Sequence, residues 1–506
     1  MKDIKVIIEE LIEYAKKHLY LEDLDALYKR NLLLDILGVD IPYIGEKLNL
    51  DYIKDLKVPD ILLDEVREYL TSKNAENVEL TIVKIMGLLS PLPSQVDKKA
   101  HDLEKSHHGE GLDYLFDLSI KNNYIQKTAI DRNIFFMKDY GNNVVEVAIN
   151  LSKPEKNNKD VAKLLIKTNN IKYPSCLLCK ENIGYTGRAD HPARENIRYL
   201  TMKLGNEDWF LQYSPYAYFD HHAIVVNSEH HNMTINNTTF HKLLEFVDLY
   251  PTFFVGSNAD LPIVGGSILN HEHYQGGAHN MPLFKAKDKK VFFDNGKVKV
   301  SSLDWYSAVI RVESKDLEKV SEMSKKIFNA WVNYSDESVE VIAYTNGVRH
   351  NTITPIAKKN NDIYQMNLVL RNNRCNEEHP DGIFHSHKEN HHIKQEGIGL
   401  IESLGLFILP PRLKRQMGYV EEMLMSNEKN PVETYVKKYE ELVIHQQMME
   451  DLVNTHGINL SKEKAMSVVK DKIVDICKEI LINSAVFKDD KKGNIAFEKF
   501  VKEALI

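Results

Sequence analysis

The sequence of 506 residues has only four cysteines and no apolar run long enough to span a membrane. Four cysteines are too few for a disulfide-stabilised scaffold, and the lack of apolar runs argues against a membrane-spanning helix. The first residues, MKDIKVIIEELIEY, place charges among the apolar side chains, so we expect no signal peptide. These features predict a cytoplasmic protein without membrane partners, in which a Cys-x-x-Cys pair more often binds metal or carries redox chemistry than forms a structural disulfide.

The sequence also lacks an excess of positive charge. It has 65 Lys and Arg against 73 Asp and Glu, a net charge of −8. Proteins that bind nucleic acid through phosphate contacts need a basic surface, so we expect no nucleic-acid partner. The hydrophobic fraction of 43% is ordinary for a folded protein, and the length allows about two to four domains.

The order of helical and strand-like segments predicts an α+β fold. Apolar residues at helical spacing predict a helical N-terminal region over 1–110, and charged amphipathic segments predict a helical C-terminal region over 416–506. β-branched and aromatic runs predict strands between them, including one over Val339–Thr345. A helix is predicted over Leu400–Phe407. The role of the helical ends stays open between covering the central body and forming a homodimer contact.

Histidine is concentrated in the middle of the chain, where 15 of the 21 lie between His191 and His392. Within this window, His271, His273 and Gln275 are spaced by two. On a strand, such residues share one face. Glycine pairs, Gly265-Gly266 and Gly276-Gly277, flank the three side chains, and glycine lets backbone N–H groups approach a phosphate closely. This arrangement indicates a phosphate-handling site rather than packing.

The third position of the motif narrows the reaction. A neutral imidazole can attack phosphorus and form a covalent intermediate. Gln275 exchanges hydrogen bonds but cannot shuttle a proton, whereas a third histidine there could activate water. The motif therefore favours group transfer to a second acceptor over hydrolysis.

His271-Glu-His273-Tyr-Gln275 resembles the His-x-His-x-Gln motif of galactose-1-phosphate uridylyltransferases, members of the histidine-triad superfamily. Further blocks resemble the second, bacterial type of that family, and together they cover nearly the whole chain. These blocks are Tyr173–Cys179, Gly187–Arg194, Gln212–Tyr216, Phe254–Ser267 and Asn346–Pro355. The resemblance implies uridylyl transfer from UDP-glucose to galactose 1-phosphate through a uridylyl-histidine, in galactose metabolism.

The resemblance also implies roles for the motif residues. His273 matches the nucleophile, and Gln275 matches the residue that hydrogen-bonds the phosphoryl oxygens of the intermediate. His271 matches a zinc ligand of the first type of the family. Glu272 departs from that type, which has proline between the two histidines, and we expect its side chain on the opposite strand face.

Cys176-Leu-Leu-Cys179 is a metal-ligand spacing that also occurs by chance in buried thiols. The resemblance completes it with a histidine after a strand, here His230 or its neighbour His231, and with His271. The ligand set implied is Cys176, Cys179, His230 and His271, holding a structural zinc, with no organic cofactor. The alternative is a cysteine pair kept without metal.

A second His-x-His segment, His385-Ser-His387, is predicted to lie on a strand. In the first type of the family the matching pair holds a second metal, and a degenerate repeat is the alternative. The repeat suggests two histidine-triad-like halves with antiparallel sheets, over 111–290 with the active site and over 291–415.

Two substrate phosphates need cations and N–H donors. Asn258, Gly266 and Ser267 stand just ahead of the nucleophile segment. The candidate substrate-binding cations are Arg349, Lys394 and Arg371, each of which is alternatively an ordinary surface charge.

Three functions compete. The first is the uridylyltransferase; the second is a nucleotide-sugar or dinucleotide phosphorylase or hydrolase of the same superfamily. The third is a non-catalytic nucleotide-binding protein. Gln275 disfavours hydrolysis, and the intact His273 between glycine pairs disfavours a protein that only binds.

Overall fold

The computed structural model describes residues 1–152, 173–188, 190–266 and 268–506. The α-helices in these ranges are α1 (Ile4–His18), α2 (Asp23–Leu37), α3 (Asp60–Ser72), α4 (Val78–Leu89), α5 (Pro93–Ser106), α6 (Glu110–Lys121), α7 (Lys127–Ile130), α8 (Thr239–Leu249), α9 (Pro282–Lys285), α10 (Leu317–Val332), α11 (Leu400–Ser403), α12 (Arg412–Met425), α13 (Pro431–Lys438), α14 (Gln446–His456), α15 (Lys462–Asn483) and α16 (Lys491–Leu505).

The strands in the same ranges are β1 (Ile134–Asp139), β2 (Val144–Ile149), β3 (Leu200–Leu204), β4 (Glu207–Tyr213), β5 (Ala223–Asn227), β6 (Phe254–Gly256), β7 (His273–Gly277), β8 (Asp288–Asp294), β9 (Val298–Leu303), β10 (Val309–Ser314), β11 (Tyr344–Thr345), β12 (Val348–Arg349), β13 (Asn351–Asn360), β14 (Ile363–Asn372) and β15 (Leu406–Leu409). The described residues divide into two compact units. The first unit holds Met1–Arg132, the described part of Lys156–His231, and Asn270–His273; the second holds the described residues of Asn133–Glu155, Asn232–Leu269 and Tyr274–Ile506.

The first unit combines helices α1 to α7 with an antiparallel run of strands, β3, β4 and β5. Helix α1 begins after Asp3, whose carboxylate accepts the backbone N–H of Lys5, and its apolar stripe is buried as the sequence spacing predicts. The Tyr213 hydroxyl of β4 donates to the carbonyl of Leu112 in α6 at 2.9 Å. At the end of β5, the Asn227 N–H donates to the carbonyl oxygen of Glu272 at 3.1 Å, which places the Asn270–His273 segment beside this strand.

The second unit contains an antiparallel sheet in the order β7, β6, β13, β14, β10, β9, β8. Helices α8 and α10 pack on it, and Trp331 of α10 is fully buried with its indole N–H donating to the carbonyl of Thr352 at 2.8 Å. A smaller sheet has the order β1, β2, β15, in which β15 pairs with β2 in parallel.

The prediction of an α+β fold with helical ends and antiparallel sheets is confirmed, with the one parallel pair as an addition. Two of the predicted elements outside the His-x-His segments are wrong. The stretch predicted as strand Val339–Thr345 begins in a 3-10 turn and passes through Glu340 at φ +61°, which breaks an extended chain and leaves only β11. The helix predicted over Leu400–Phe407 ends at Ser403, because Gly405 adopts φ +96° and starts the turn into β15.

Among the described residues, no helix is both long and apolar enough to cross a membrane. The predicted boundaries of the two central halves stay a prediction.

Candidate active site and metal centre

His273 begins strand β7 and is buried. Its Nδ1 lies 2.8 Å from the carbonyl oxygen of His271, and because a carbonyl only accepts, Nδ1 carries the proton. The ring therefore presents Nε2 with a free lone pair, which is the nucleophilic tautomer. Burial lowers the pKa of His273 to about 4, so the ring stays neutral at physiological pH.

Gln275 stands two residues further along the same strand, so its side chain shares the strand face of His273. It pairs in register with Gly256 of β6. Gly276 is required by this pairing, since a Cβ there would collide with the carbonyl oxygen of Phe254. The glycine flanking the motif thus lets two strands approach closely, while Gln275 keeps its place on the nucleophile face.

His271 was expected to share this strand face, but β7 begins only at His273 and His271 lies in the bend before it. Its Nε2 donates to the carbonyl oxygen of Asn227 at 2.8 Å, which turns Nδ1 towards the cysteine pair. The backbone hydrogen bond and the thiol contact are thus the interactions that His271 makes outside the strand.

Four predicted metal ligands converge in the first unit. The Sγ atoms of Cys176 and Cys179 lie 3.4 Å apart, His271 Nδ1 is 3.2 Å from Cys176 Sγ, and His230 Nδ1 is 3.1 Å from Cys179 Sγ. All four ligand atoms lie within 4.8 Å of one another. Two thiolates and two imidazoles at this spacing are the donor set of a tetrahedral Zn²⁺ site, so the residues present fit the metal.

His231, the alternative ligand, lies elsewhere. Its Nε2 is 3.4 Å from the carboxylate of Glu272, which also accepts from the side-chain amide of Asn227 at 3.0 Å. Glu272 thus has partners of its own, and it precedes β7, so the prediction that its side chain lies on the opposite strand face does not hold. The structure therefore selects His230 for the metal cluster.

Two residues that the sequence interpretation missed support the cysteine loop. The side-chain amide of Asn182 donates to the carbonyl oxygens of both Cys176 and Cys179 at 2.8 Å. Its Oδ1 accepts from Nε2 of the buried His191 at 2.6 Å, which fixes the amide orientation. The N–H of Leu178 points at Cys176 Sγ at 3.3 Å, a contact that favours a thiolate.

Burial shifts the pKa of two residues of the cluster, in ways that bear on metal binding. Burial raises the pKa of the Cys179 thiol to about 12, and the neighbouring Cys176 adds to this. Burial lowers the pKa of His271, so its imidazole is neutral and able to act as a ligand. A divalent metal bound here would offset the cost of ionising Cys179 by stabilising its thiolate.

Asn258 and Gly266 are in contact in the second unit. The Asn258 side chain is buried, its Oδ1 accepts the N–H of Leu400 at 2.9 Å, and a Cβ on Gly266 would lie 2.7 Å from its Nδ2. Ser267, the third candidate of this segment, lies outside the described residues.

The predicted cations all have protein partners. Arg349 pairs with Asp260 at 2.6 Å, and Lys394 is buried and pairs with Glu402 at 2.8 Å. Arg371 is buried and donates to Ser403 Oγ and to the carbonyl oxygen of Ile398. Their phosphate role stays a prediction, with Arg349 the most exposed of the three.

The sequence predicts a strand through the second His-x-His segment, and this prediction is wrong. In the structure the segment lies in irregular chain between turns. Gly382 at φ +116° reverses the chain just before it, and a 3-10 turn follows from Lys388. In the part of the chain that the structure describes, the cluster of potential metal ligands includes neither His385 nor His387. His385 accepts the N–H of Ile398 at Nε2, and His387 stacks on His379 with ring centroids 4.0 Å apart.

Comparison with known proteins gives matches along nearly the whole chain. Residues 50–232 match the family model described as galactose-1-phosphate uridyl transferase, N-terminal domain, and residues 245–441 match the C-terminal domain of the same family. A galactose-1-phosphate uridylyltransferase of Caldanaerobacter subterraneus is 40% identical, over 99% of this chain and 98% of that protein. Proteins of the same name from Clostridium acetobutylicum, with 98% of both chains covered, and Streptococcus pneumoniae, with 98% of this chain and 99% of that one, are 38% and 39% identical.

Proposed function

Because the chain belongs to the galactose-1-phosphate uridylyltransferase family, we propose that it transfers uridylyl from UDP-glucose to galactose 1-phosphate. The products are UDP-galactose and glucose 1-phosphate. The observation that carries the proposal at the level of chemistry is the 2.8 Å contact between His273 Nδ1 and the carbonyl oxygen of His271, from which the tautomer of His273 follows.

In the first half-reaction, His273 Nε2 attacks the α-phosphorus of UDP-glucose. A phosphorus–nitrogen bond forms, the bridging phosphorus–oxygen bond breaks, and glucose 1-phosphate leaves with the bonding electron pair. The His271 carbonyl stabilises the cationic ring that results, because its hydrogen bond to Nδ1–H strengthens as the ring gains charge.

In the second half-reaction, a phosphate oxygen of galactose 1-phosphate attacks the same phosphorus and His273 leaves as a neutral ring. Gln275 shares the strand face and donates its amide to the phosphoryl oxygens in both steps. Its amide cannot act as a general base that activates water, which keeps the intermediate for the sugar phosphate.

Asn258, Gly266 and Ser267 serve in this proposal as contacts to the substrate phosphates, with Arg349 as the accessible cation. Lys394 is the weakest candidate, since its charge is already matched by Glu402 in a buried pair.

The metal of the Cys176, Cys179, His230 and His271 cluster is proposed to be zinc with a structural role. When bound, it supplies a cross-link between the cysteine loop and His271, whose carbonyl orients the nucleophile. The remaining parts of the proposal are a cytoplasmic enzyme, a homodimer, and two histidine-triad-like halves over 111–290 and 291–415.

The test is incubation with UDP-glucose labelled at the α-phosphorus. We expect acid-labile label on the protein, and loss of that label to UDP-galactose when galactose 1-phosphate is added. Label that is released only by inorganic phosphate, as a nucleoside diphosphate, would identify a phosphorylase instead. A protein that binds UDP-glucose without any covalent label would contradict the transferase.

A further inference from the structure

The turn over 398–403 in the second unit is held by buried side chains. The N–H of Ile398 donates to His385 Nε2 at 3.3 Å, and its carbonyl oxygen accepts from Arg371 Nη2 at 2.6 Å. Arg371 also donates to the hydroxyl of Ser403 at 2.8 Å, and this hydroxyl donates to the carbonyl oxygen of Gly399 at 2.7 Å. Since buried backbone groups need partners, His385 and Arg371 fix the path of the turn.

The same turn also contacts the side chain of Asn258. The N–H of Leu400 donates to Asn258 Oδ1 at 2.9 Å, and a Cβ on Gly399 would lie 2.9 Å from that oxygen. On the other side of Asn258, a Cβ on Gly266 would lie 2.7 Å from Nδ2. Asn258 is therefore confined between Gly399 and Gly266, and a shift of the turn must move Asn258 or the segment that contains Gly266.

His385 has the properties of a hydrogen-bond acceptor. It is buried, and burial lowers its pKa to about 4, so that the ring is neutral near pH 7 and Nε2 can accept. The N–H of Ile398 already occupies Nε2, the nitrogen that a metal would need if Nδ1 keeps its proton. Its partner in the motif, His387, faces the carbonyl oxygen of Ile383 at 3.2 Å instead.

We propose that His385 is a positioning residue for the reaction and not a metal ligand. With Arg371 it holds the 398–403 turn, the turn fixes Asn258, and Asn258 keeps Gly266 in the conformation that receives the substrate phosphate. The last link rests on the proposed function, which assigns Asn258 and Gly266 to the substrate. The earlier links rest on the contacts of the protein alone.

A first experiment needs no activity. Hydrogen exchange is followed in peptides that contain Ile398 and Leu400 for the full-length protein and for His385→Gln and His385→Leu. Glutamine can place an acceptor oxygen near the position of Nε2, whereas leucine cannot. We expect exchange at Ile398 to accelerate about five- to tenfold in His385→Leu, with His385→Gln close to wild type. Equal exchange in all three proteins would overturn the proposal.

A second experiment separates positioning from metal binding. We expect His385→Leu to lower kcat/KM for UDP-glucose about tenfold, mainly through KM, and His385→Gln to recover it to within about twofold. His387→Leu should leave kcat/KM within about twofold of wild type, and none of the three should change metal content. Equal losses in His385→Gln, His385→Leu and His387→Leu together with loss of metal would replace the positioning role with a second metal site.

If His385→Leu does not fold, Gly399→Ala tests the same link from the turn, because the added methyl group presses on Asn258 Oδ1. Gly418→Ala is its matched control, since a Cβ there meets no atom within 4 Å. We expect a rise in KM for UDP-glucose in Gly399→Ala only; equal kinetics in both alanine variants would overturn the proposal. A wild-type protein that takes no label from UDP-glucose would remove the proposed function, and the exchange experiment would still decide whether His385 holds the turn.

Discussion

The chain contains two His-x-His segments with opposite surroundings. Around His271 and His273, two thiols lie within hydrogen-bond distance of one ring and a backbone carbonyl orients the other. Around His385 and His387, the polar neighbours include backbone groups, the side chains of Arg371, Asp381 and Glu389, and the stacked ring of His379. The same residue pattern therefore places the proposed nucleophile beside a cluster of potential metal ligands in one segment, and rings that hydrogen-bond or stack in the other.

The difference shows that ligand-type residues take their role from what the fold brings to them. An imidazole with a neighbouring cation, such as Arg371, is disfavoured as a ligand for a second cation. An imidazole beside two thiols that can ionise is favoured. Four predictions test this difference between the two segments.

The largest effect is expected at His273, with His387, the second histidine of the other segment, as its control. His273→Ala should abolish covalent labelling and lower transfer by at least about 10⁴-fold, because the nucleophile is lost, while the fold stays intact. His273→Gly should regain some transfer when imidazole is added. His387→Ala should label within about twofold of wild type. Label that persists in His273→Ala would contradict the assignment of His273 as the nucleophile. Loss of label in His387→Ala would contradict the difference between the two His-x-His segments.

The next effect concerns the residue two positions further on, which is Gln275 in one segment and the exposed Glu389 in the other. Gln275→Ala should slow both half-reactions about 10²-fold, the usual effect of losing one donor to a developing charge. Gln275→His should raise hydrolysis of the labelled intermediate. Glu389→Ala, the control, should change neither rate. Normal transfer and hydrolysis in both Gln275 variants would contradict its role.

The third effect is on the metal. Cys176→Ser should lose most of the bound metal and lower the thermal midpoint by about 5 °C or more, with activity per folded molecule changed less. Cys375→Ser is matched to it, because Cys375 is exposed and outside the cluster. Elemental analysis and thermal unfolding measure both variants, and chelator should act slowly if the site is closed. A metal-free wild type with full activity and unchanged stability would leave the cluster as buried thiols.

The smallest effect is expected at Asn182, which touches the cysteine carbonyls rather than the metal. Asn182→Ala should weaken metal affinity about 10- to 100-fold without abolishing binding, as loss of an outer hydrogen-bond partner does elsewhere. Competition with a chelator of known affinity measures it. An affinity equal to that of wild type would show that the loop needs no such support.

The sequence was most informative where spacing encodes geometry. His273 and Gln275 are alternate residues, and any strand through them puts both on one face, so the pairing could be predicted without knowing the neighbours. The four metal-cluster residues came from family resemblance, since no local pattern links Cys176 to His271. The structure brings them together and separates His230 from His231.

Roles that act through backbone groups were not predictable. Asn182 supports the cysteine loop through the backbone carbonyl oxygens of Cys176 and Cys179, and His191 orients the Asn182 amide. Such contacts leave no spacing to detect, although Asn182 follows Cys179 by three residues. The strand expected through His385 fails because Gly382 in the left-handed region redirects the chain, a choice that β-propensity does not encode. Likewise, the sequence makes Lys394 a candidate phosphate-binding cation, and only the structure shows that its ammonium group pairs with Glu402.

The close approach of β7 to the carbonyl oxygen of Phe254 has a consequence for redesign. A library intended to change the accepted sugar phosphate would naturally randomise the residues around the nucleophile. At Gly276, every replacement carries a Cβ into the neighbouring strand, and at the buried Tyr274 the replacement must refill a large volume. Diversity is therefore better placed in the loops that approach the motif, with the residues of β7 left unchanged.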